Sequence, residues 1–279
     1  MSDNDTARSA TKGGTVKARI NGIQMGYTDT GRGSPILLVH GYPLNRTMWD
    51  AQVSGLSQDF RVIAPDLRGH GESDAPTGTY SVDIFADDLR ALLDHLNMQQ
   101  VTLVGFSLGG YIAFAFQRKY ASRLHALVLA DTRPQADTPE GKQGRENTAQ
   151  TVLKDGVAGV AQATAPRMLA PATVQNHPNV VERVRSIMAS TSVNGYVGDL
   201  RGLAERPDST ATLALISCPT LIVVGEQDAV TPPGDSQAMA RAIKNTTLVT
   251  IPNAGHLSPM EQPQAFNDAL RAFLQGLPK

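Results

Sequence analysis

Short apolar runs recur along the chain and alternate with longer segments in which apolar residues follow helical spacing. The runs are apolar at consecutive positions, which is typical of strands buried on both faces of a parallel sheet. Between them, helical spacing places apolar side chains on one face of each longer segment. The pattern therefore predicts an α/β fold in which helices cover both faces of a mostly parallel central sheet. The predicted strands are Pro35–Val39, Arg61–Pro65, Val101–Val104, Ala126–Ala130, Thr220–Val224 and Thr247–Ile251, and the predicted helices are Ser81–Leu96, Tyr111–Tyr120, Ser236–Lys244 and Glu261–Leu274.

The alternation stops at Arg133 and resumes near Pro207. The intervening residues contain helical patches such as Val180–Ala189, separated by prolines, and no strand-like run. A helical insertion of this length in a sheet domain is typical of a lid. We therefore predict an α/β core formed by residues 15–133 and 208–279, with residues 134–207 as a helical cap or lid. The first 14 residues are polar and are predicted to form a flexible tail.

Composition and charge argue against several classes of protein. The chain has 279 residues and a net charge of −1, without the dense Lys/Arg cluster that gathers nucleic-acid phosphates. No apolar run approaches the roughly 20 residues that span a bilayer, and the first residues lack the apolar centre of a signal peptide. Cys218 is the only cysteine, so no internal disulfide can form. These features predict a cytoplasmic protein that binds neither nucleic acid nor a membrane.

The sequence also predicts no cofactor and no metal. Neither a G-x-x-x-x-G-K-[ST] loop nor a G-x-G-x-x-G loop after a strand is present, so the two common phosphate-binding loops are missing. His95, His125 and His177 lack the paired spacing of metal ligands.

The strongest chemical motif is Gly105-Phe106-Ser107-Leu108-Gly109, which lies between a predicted strand and a predicted helix. A nucleophile on so tight a turn has strained backbone angles, and the neighbouring backbone must pass close by. Glycines at 105 and 109 permit this approach because they have no Cβ atom. The Ser107 hydroxyl is then held clear of the sheet at a helix N-terminus. The alternative is a glycine-rich helix start capped by a serine. The strand–turn–helix setting favours the nucleophile.

A serine hydroxyl becomes nucleophilic when a base takes its proton and a third group orients that base. Asp228 follows one predicted strand and His256 follows the next. Both therefore belong to loops at the carboxyl edge of the sheet, the edge where Ser107 also lies. The order Ser, Asp, His is that of the α/β-hydrolases. Asp131, at the end of an earlier strand, is an alternative acid, although Thr132 and Arg133 beside it suggest an anchored loop instead.

Three other polar residues are predicted to be structural. Asp66 and His70 lie among glycines, where such side chains commonly bond the local backbone and stabilise turns. Glu261 is placed at the start of the last helix, where a carboxylate interacts favourably with the helix dipole.

Acyl transfer also requires hydrogen-bond donors for the oxyanion. The residue after the nucleophile supplies one backbone N–H, here that of Leu108. The second is expected from the loop His40-Gly41-Tyr42-Pro43, with the backbone N–H of Tyr42 as the candidate and His40 as a support. Trp49 either forms a wall of the acyl pocket or packs behind this loop.

Five segments together resemble the α/β-hydrolase superfamily from about Val16 to Leu277: HGYP, DLRGHGESD, GFSLGG, GEQDAVTPP and NAGHLSPMEQP. Within it, the chain is similar to bacterial carboxylesterases related to 3-oxoadipate enol-lactonases and cofactor-free haloperoxidases. The resemblance implies the α/β-hydrolase fold with a lid inserted after the sixth strand. Epoxide hydrolases and haloalkane dehalogenases fit less well, because they have an aspartate where this chain has Ser107.

The expected function is that of a serine carboxylesterase that hydrolyses small to medium esters through an acyl-enzyme on Ser107. A lactonase acting on a 3-oxoadipate enol-lactone or an acyl-homoserine lactone would use the same residues, and perhydrolysis is a possible side activity. A ligand-binding protein without catalysis is the alternative from a different class, because a fold does not fix a function. Four residues of the lid are expected to close an apolar pocket: Met168, Leu169, Met188 and Tyr196.

Overall fold

A computed structural model describes residues 15–278, and the predicted flexible tail at residues 1–14 lies outside them. Eight strands form one sheet in the order β1-β2-β4-β3-β5-β6-β7-β8. The pairs β1–β2 and β2–β4 are antiparallel, and all the other pairs are parallel. The α/β-hydrolase fold class is thereby confirmed. The strands are β1 (Val16–Ile20), β2 (Ile23–Thr30), β3 (Pro35–Val39), β4 (Arg61–Pro65), β5 (Val101–Phe106), β6 (Leu124–Ala130), β7 (Thr220–Gly225) and β8 (Thr246–Ile251).

The six strands predicted from apolar runs are all present, with ends that differ by two residues at most. Two strands, β1 and β2, were not marked by an apolar run, because both mix buried and exposed positions and contain polar residues. β2 is joined to β1 by a turn at Asn21-Gly22, where both residues have positive φ angles of 45° and 85°. Such angles are typical of tight hairpin turns, and Asn-Gly adopts them at low cost.

Helices cover both faces of the sheet because consecutive strand residues point to opposite sides. On β3, Leu37 and Val39 join the core beneath one set of helices, whereas Ile36 and Leu38 join the core on the other face. Full burial of such a side chain contributes roughly 1.5–3 kcal/mol to stability. The first face carries α2 (Val82–His95), α3 (Leu108–Tyr120) and α10 (Pro233–Ala242), and the second carries α1 (Asp50–Leu56) and α12 (Pro263–Gln275).

Between β6 and β7 the chain forms a run of helices without a strand. The third hydrophobic cluster joins the helices at Pro139–Asp155 and Val193–Glu205, whereas the helices at Ala158–Thr164 and Pro178–Ala189 contribute side chains to the core on the second face. Three of the helices in this run begin with proline, which suits the first turn of a helix because an N–H is not needed there. The helices are α4 (Pro139–Asp155), α5 (Ala158–Thr164), α6 (Pro171–Asn176), α7 (Pro178–Ala189) and α8 (Val193–Glu205), followed by the short α9 (Thr210–Leu213).

The predicted start of the last helix at Glu261 is wrong. Glu261 ends a short helix, α11 (Ser258–Glu261), and α12 begins two residues later at Pro263. Among the described residues, no helix has both the length and the apolar character needed to cross a membrane.

Candidate active site

Ser107 lies on the turn between β5 and α3, and its backbone is strained, with φ = 52° and ψ = −111°. A Cβ atom at Gly105 would lie 2.3 Å from the carbonyl oxygen of Gly109. A Cβ atom at Gly109 would lie 2.4 Å from the carbonyl oxygen of Val39. Both glycines of the motif are therefore required by close backbone contacts. Thr132 stabilises the turn by donating its hydroxyl to the Ser107 carbonyl at 2.9 Å.

The structure brings the three predicted catalytic side chains together in one hydrogen-bonded chain. The Oγ of Ser107 is 3.0 Å from Nε2 of His256, and Nδ1 of His256 is 2.9 Å from Oδ2 of Asp228. An N–H on Nδ1 that donates to the carboxylate leaves the lone pair of Nε2 free to accept the Ser107 proton. His256 and Asp228 are buried, and Ser107 is half-buried. Side chains separated by up to 149 positions in the sequence thus meet at the carboxyl edge of the sheet.

Asp228 is held by its own loop. Its Oδ1 accepts the backbone N–H groups of Val230 and Thr231 at 2.8 and 2.9 Å, and its Oδ2 accepts the Thr231 hydroxyl at 2.6 Å. Burial alone would raise the pKa of Asp228, but the attraction of His256 and these hydrogen bonds lower it below its usual value. Asp228 therefore stays ionised. Sequence analysis did not assign a role to Thr231, although an aspartate commonly bonds the backbone two or three residues ahead.

Asp131, the alternative acid, bonds to other partners. Its Oδ1 accepts the N–H of Gly225 at 2.8 Å and its Oδ2 accepts the Ser258 hydroxyl at 2.5 Å. Burial and the nearby charge of Asp228 raise the pKa of Asp131 well above its usual value. The two carboxyl groups are therefore unequal: Asp228 contacts the imidazole as an anion, whereas Asp131 bonds to the end of β7 and the start of α11.

The predicted oxyanion loop lies against Ser107. A Cβ atom at Gly41 would lie 2.8 Å from the Phe106 ring and 3.0 Å from Cβ of Ser107, so a larger residue would push the loop away. Leu108 is the first residue of α3, and the first N–H groups of a helix have no acceptor within it. Tyr42 and Leu108 both line the cavity that contains Ser107.

His40 is fully buried and supports this loop, since its Nε2 accepts the N–H of Leu67 at 3.0 Å. Burial, followed by the neighbouring His70, lowers the pKa of His40 well below its usual value. His40 therefore remains neutral, as an acceptor of that N–H must be.

A cavity of about 200 Å³ contains Ser107 and His256. Trp49 is not part of its wall; this side chain is fully buried between Phe106 and Phe266. A larger cleft of about 690 Å³ elsewhere on the surface reaches neither catalytic side chain. The expected lid contacts are met in part: of the four residues only Met168 lines the catalytic cavity, whereas Leu169 and Met188 belong to the core on the second face and Tyr196 belongs to the third hydrophobic cluster. The wall is formed by Tyr42, Pro43, Ser107, Leu108, Tyr111, Arg145, Thr164, Met168, Leu203, Val230 and His256.

Asp66 and His70 stabilise structure away from the Ser107 hydroxyl. Asp66 accepts the backbone N–H groups of Arg46 and Glu72, each at 2.8 Å. His70 donates from Nδ1 to the carbonyl of Arg68 at 3.0 Å. Neither side chain lines the catalytic cavity.

Glu261 contacts the loop that carries His256. Its Oε1 accepts the backbone N–H of Gly255 at 2.9 Å and that of Leu257 at 3.2 Å. These residues lie directly before and after His256. One carboxylate oxygen therefore fixes the backbone on both sides of the histidine.

The same carboxylate contacts the helical insertion. Oε2 of Glu261 accepts the N–H of Ala170 at 2.7 Å and the hydroxyl of Thr173 at 2.7 Å. The N–H of His256 in turn donates to the carbonyl of Met168 at 2.9 Å. Glu261 thus joins the insertion to the histidine loop. Sequence analysis could not have found this role, because the two partners lie 88 and 91 positions away along the chain.

Replacement of Glu261 by glutamine should lower kcat by about 10- to 100-fold, because a displaced imidazole loses much of its effect on the reaction. Both carboxylate oxygens of Glu261 accept hydrogen bonds, whereas glutamine has only one acceptor oxygen. Its NH₂ group would therefore face N–H or O–H groups that are themselves donors. The matched control is Thr173→Val, which removes a bond to the insertion and keeps both bonds to the histidine loop. Its kcat should stay within about twofold of the wild-type value. Equal losses in the two variants, measured with one chromogenic ester, would contradict this assignment.

The fold and the arrangement of the site are those of an α/β hydrolase. The family model described as alpha/beta hydrolase fold matches residues 34–263. The protein therefore belongs to this family. A thermophilic esterase from Thermogutta terrifontis has a TM-score of 0.92 at 45% identity, covering 95% of this chain and 100% of that one. The 3-oxoadipate enol-lactonase 2 of Acinetobacter baylyi is 33% identical over 255 residues, which are 91% of this chain and 94% of that protein. A bromoperoxidase from Bacillus anthracis has a TM-score of 0.84 at 28% identity, covering 94% and 100% of the two chains. The resemblance inferred from the motifs is thereby confirmed.

Proposed function

We propose that the protein is a serine carboxylesterase acting on small to medium carboxylic esters, with Ser107 as nucleophile, His256 as general base and Asp228 as the orienting acid. The observation that carries the proposal is the continuous contact from the Ser107 hydroxyl through the imidazole to a buried, ionised carboxylate. Similarity to an esterase at 45% identity supports the same chemistry.

In the proposed reaction, Oγ of Ser107 attacks the ester carbonyl carbon while Nε2 of His256 takes the hydroxyl proton. The electron pair of the carbonyl moves to its oxygen, which the backbone N–H groups of Tyr42 and Leu108 stabilise. As the tetrahedral intermediate collapses, the C–O bond to the alcohol breaks and His256 returns the proton to the leaving oxygen. Asp228 stabilises the transient imidazolium. A water molecule then attacks the acyl-Ser107, with His256 again accepting and returning the proton, and the carboxylic acid leaves.

The size of the catalytic cavity supports small substrates. Its volume of about 200 Å³ lies below the range of roughly 300–1,000 Å³ that is typical of pockets for drug-sized ligands. We also propose that the insertion at residues 134–207 acts as a lid, since its residues Arg145, Thr164 and Met168 form part of the cavity wall.

Rates on 4-nitrophenyl esters of increasing acyl length test this proposal. We expect kcat/KM to be highest for acyl chains of two to about six carbons and to fall by tenfold or more at twelve carbons, because ~200 Å³ holds about seven water-sized groups at ~30 Å³ each. A maximum at twelve carbons or longer would contradict the proposed substrate range. Absence of hydrolysis across the series would contradict the esterase function.

Lactone hydrolysis is the second candidate, because ring opening uses the same nucleophile and base. The 33% identity to a 3-oxoadipate enol-lactonase favours it specifically. Parallel assays with an enol-lactone, an acyl-homoserine lactone and an open-chain ester of similar size would decide between the two activities. Perhydrolysis of the acyl-enzyme by hydrogen peroxide is proposed as a side reaction of either, and the similarity to a bromoperoxidase supports testing it.

A further inference from the structure

A second cavity lies beside the catalytic cavity and shares part of its wall. Its volume is about 260 Å³, and Tyr42, Pro43, Arg145 and Thr164 border both cavities. The remaining wall comes mainly from α4 and α8 of the insertion, including Tyr196. A substrate attached at Ser107 would therefore extend past Arg145 to reach this space.

The polar side chains on the wall of the second cavity are all of donor type, and within residues 15–278 only the Thr148 hydroxyl already donates to a backbone carbonyl, that of Gly144 at 2.9 Å. They comprise the guanidinium of Arg145 and the hydroxyls of two tyrosines and two threonines, and none is a carboxylate. Tyr196 is fully buried, and its hydroxyl has no hydrogen-bond partner among the described residues. Burial raises the pKa values of Tyr42 and Tyr196, so both phenols keep their protons as donors. This wall suits a ligand that accepts hydrogen bonds.

The charge at this place is positive. Arg145 pairs with Asp137, and the same carboxylate lies 2.8 Å from Nη1 of Arg206 and 3.8 Å from Nη2 of Arg133. One aspartate therefore faces three guanidinium groups. Arg206 also lies over the ring of Tyr111, with 4.2 Å from its Cζ to the ring centroid, and Tyr111 borders the catalytic cavity.

Two neighbouring carboxylates lie close to other basic side chains. Asp199, which lies near Tyr42, is 3.1 Å from Nε2 of His70. Glu146, which follows Arg145 in α4, pairs with Arg201 at 3.4 Å. Asp199 also interacts with Arg145, so three guanidinium groups face two carboxylates, Asp137 and Asp199, and the local balance of charge stays positive.

We propose that the second cavity, bordered by Tyr42, Arg145 and Tyr196, is a subsite for a carboxylate on the substrate, so that the preferred ester or lactone is anionic. The carboxylate accepts hydrogen bonds from the guanidinium and the tyrosine hydroxyls while the scissile carbonyl lies at Ser107. This inference rests on the proposed hydrolysis at Ser107 and specifies its substrate class.

The test compares glutarate with pentanoate as competitive inhibitors of 4-nitrophenyl acetate hydrolysis by the full-length protein. The two inhibitors have the same chain length and differ by one carboxylate. Glutarate should inhibit wild type about tenfold or more strongly than pentanoate, because hydrogen bonds to charged groups are the strong ones. Arg145→Gln should remove this preference, and Tyr196→Phe should reduce it severalfold.

Arg133→Gln is the matched control, because it removes the same charge from the arginine cluster without altering the cavity wall. It should leave both acetate hydrolysis and the preference for glutarate within about twofold of wild type. Equal inhibition of wild type by the two acids, or equal weakening of glutarate by the Arg133 and Arg145 variants, would overturn the subsite. If wild type hydrolyses no ester, the proposed function fails instead. The affinities for glutarate and pentanoate, measured by calorimetry, would then still test the subsite.

Discussion

Replacement of Ser107 by alanine is expected to lower kcat by about 10⁶-fold, as loss of a triad serine does elsewhere. The reason is the loss of the covalent route: without the hydroxyl, the carbonyl must be attacked by water in a cavity shaped for an attacking group on the protein. Alanine also fits the strained turn no worse than serine does, so the fold should persist. The measurement is kcat for 4-nitrophenyl acetate, with the thermal midpoint of both proteins as the check on folding.

A burst experiment tests the same role of Ser107 independently. Wild type should release up to one equivalent of 4-nitrophenol per protein as the acyl-enzyme forms, provided that deacylation is the slower step. The alanine variant should release none in this phase. Comparable steady-state rates in the two folded proteins would reject Ser107 as the nucleophile and would favour a ligand-binding role for this fold.

The second large effect is expected at Asp228, where asparagine should lower kcat by about 10⁴-fold. An asparagine amide can donate to Nδ1 of His256, which places the imidazole proton on Nε2. The base would then face Ser107 with an N–H instead of a lone pair. Size and position are nearly unchanged, so kinetics at neutral pH should report the tautomer and the missing charge rather than lost packing.

Asp131→Asn is the matched control for this prediction. Asp131 is fully buried, and burial together with the charge of Asp228 raises its pKa, but its hydrogen bonds go to Gly225 and Ser258. An asparagine can accept the N–H with its oxygen and donate to the serine with its NH₂ group. The loss in kcat should therefore stay below about tenfold. A loss as large as that of the Asp228 variant, with an unchanged thermal midpoint, would instead identify Asp131 as the functional acid.

The order of strands and helices was largely readable from the sequence, because buried parallel strands leave continuous apolar runs that few other elements produce. The β1 and β2 strands left no such run, since strands at and next to the sheet edge need not be apolar at every position. The start of the last helix was misplaced at Glu261, because a short helix and a proline-led helix follow one another there and local pattern does not separate them.

The candidate site likewise contains residues that the sequence could predict and residues that it could not. Ser107, Asp228 and His256 could be identified because each follows a strand, and parallel strands bring their carboxyl ends to one edge. The location of the Trp49 side chain could not be predicted, since an aromatic residue suits a pocket wall and a hydrophobic core equally. The hydrogen bonds between Glu261 and the insertion could not be predicted either, because the local sequence does not indicate a contact about 90 positions away.

The sequence by itself determined the α/β class, the order of its elements and the residue types at the carboxyl edge, because these depend on local pattern and on strand direction. Only the tertiary structure decided which aspartate contacts His256, what surrounds Arg145 and which insertion residues reach the cavity. Those choices depend on distances between segments far apart in the chain, and no local preference encodes such distances.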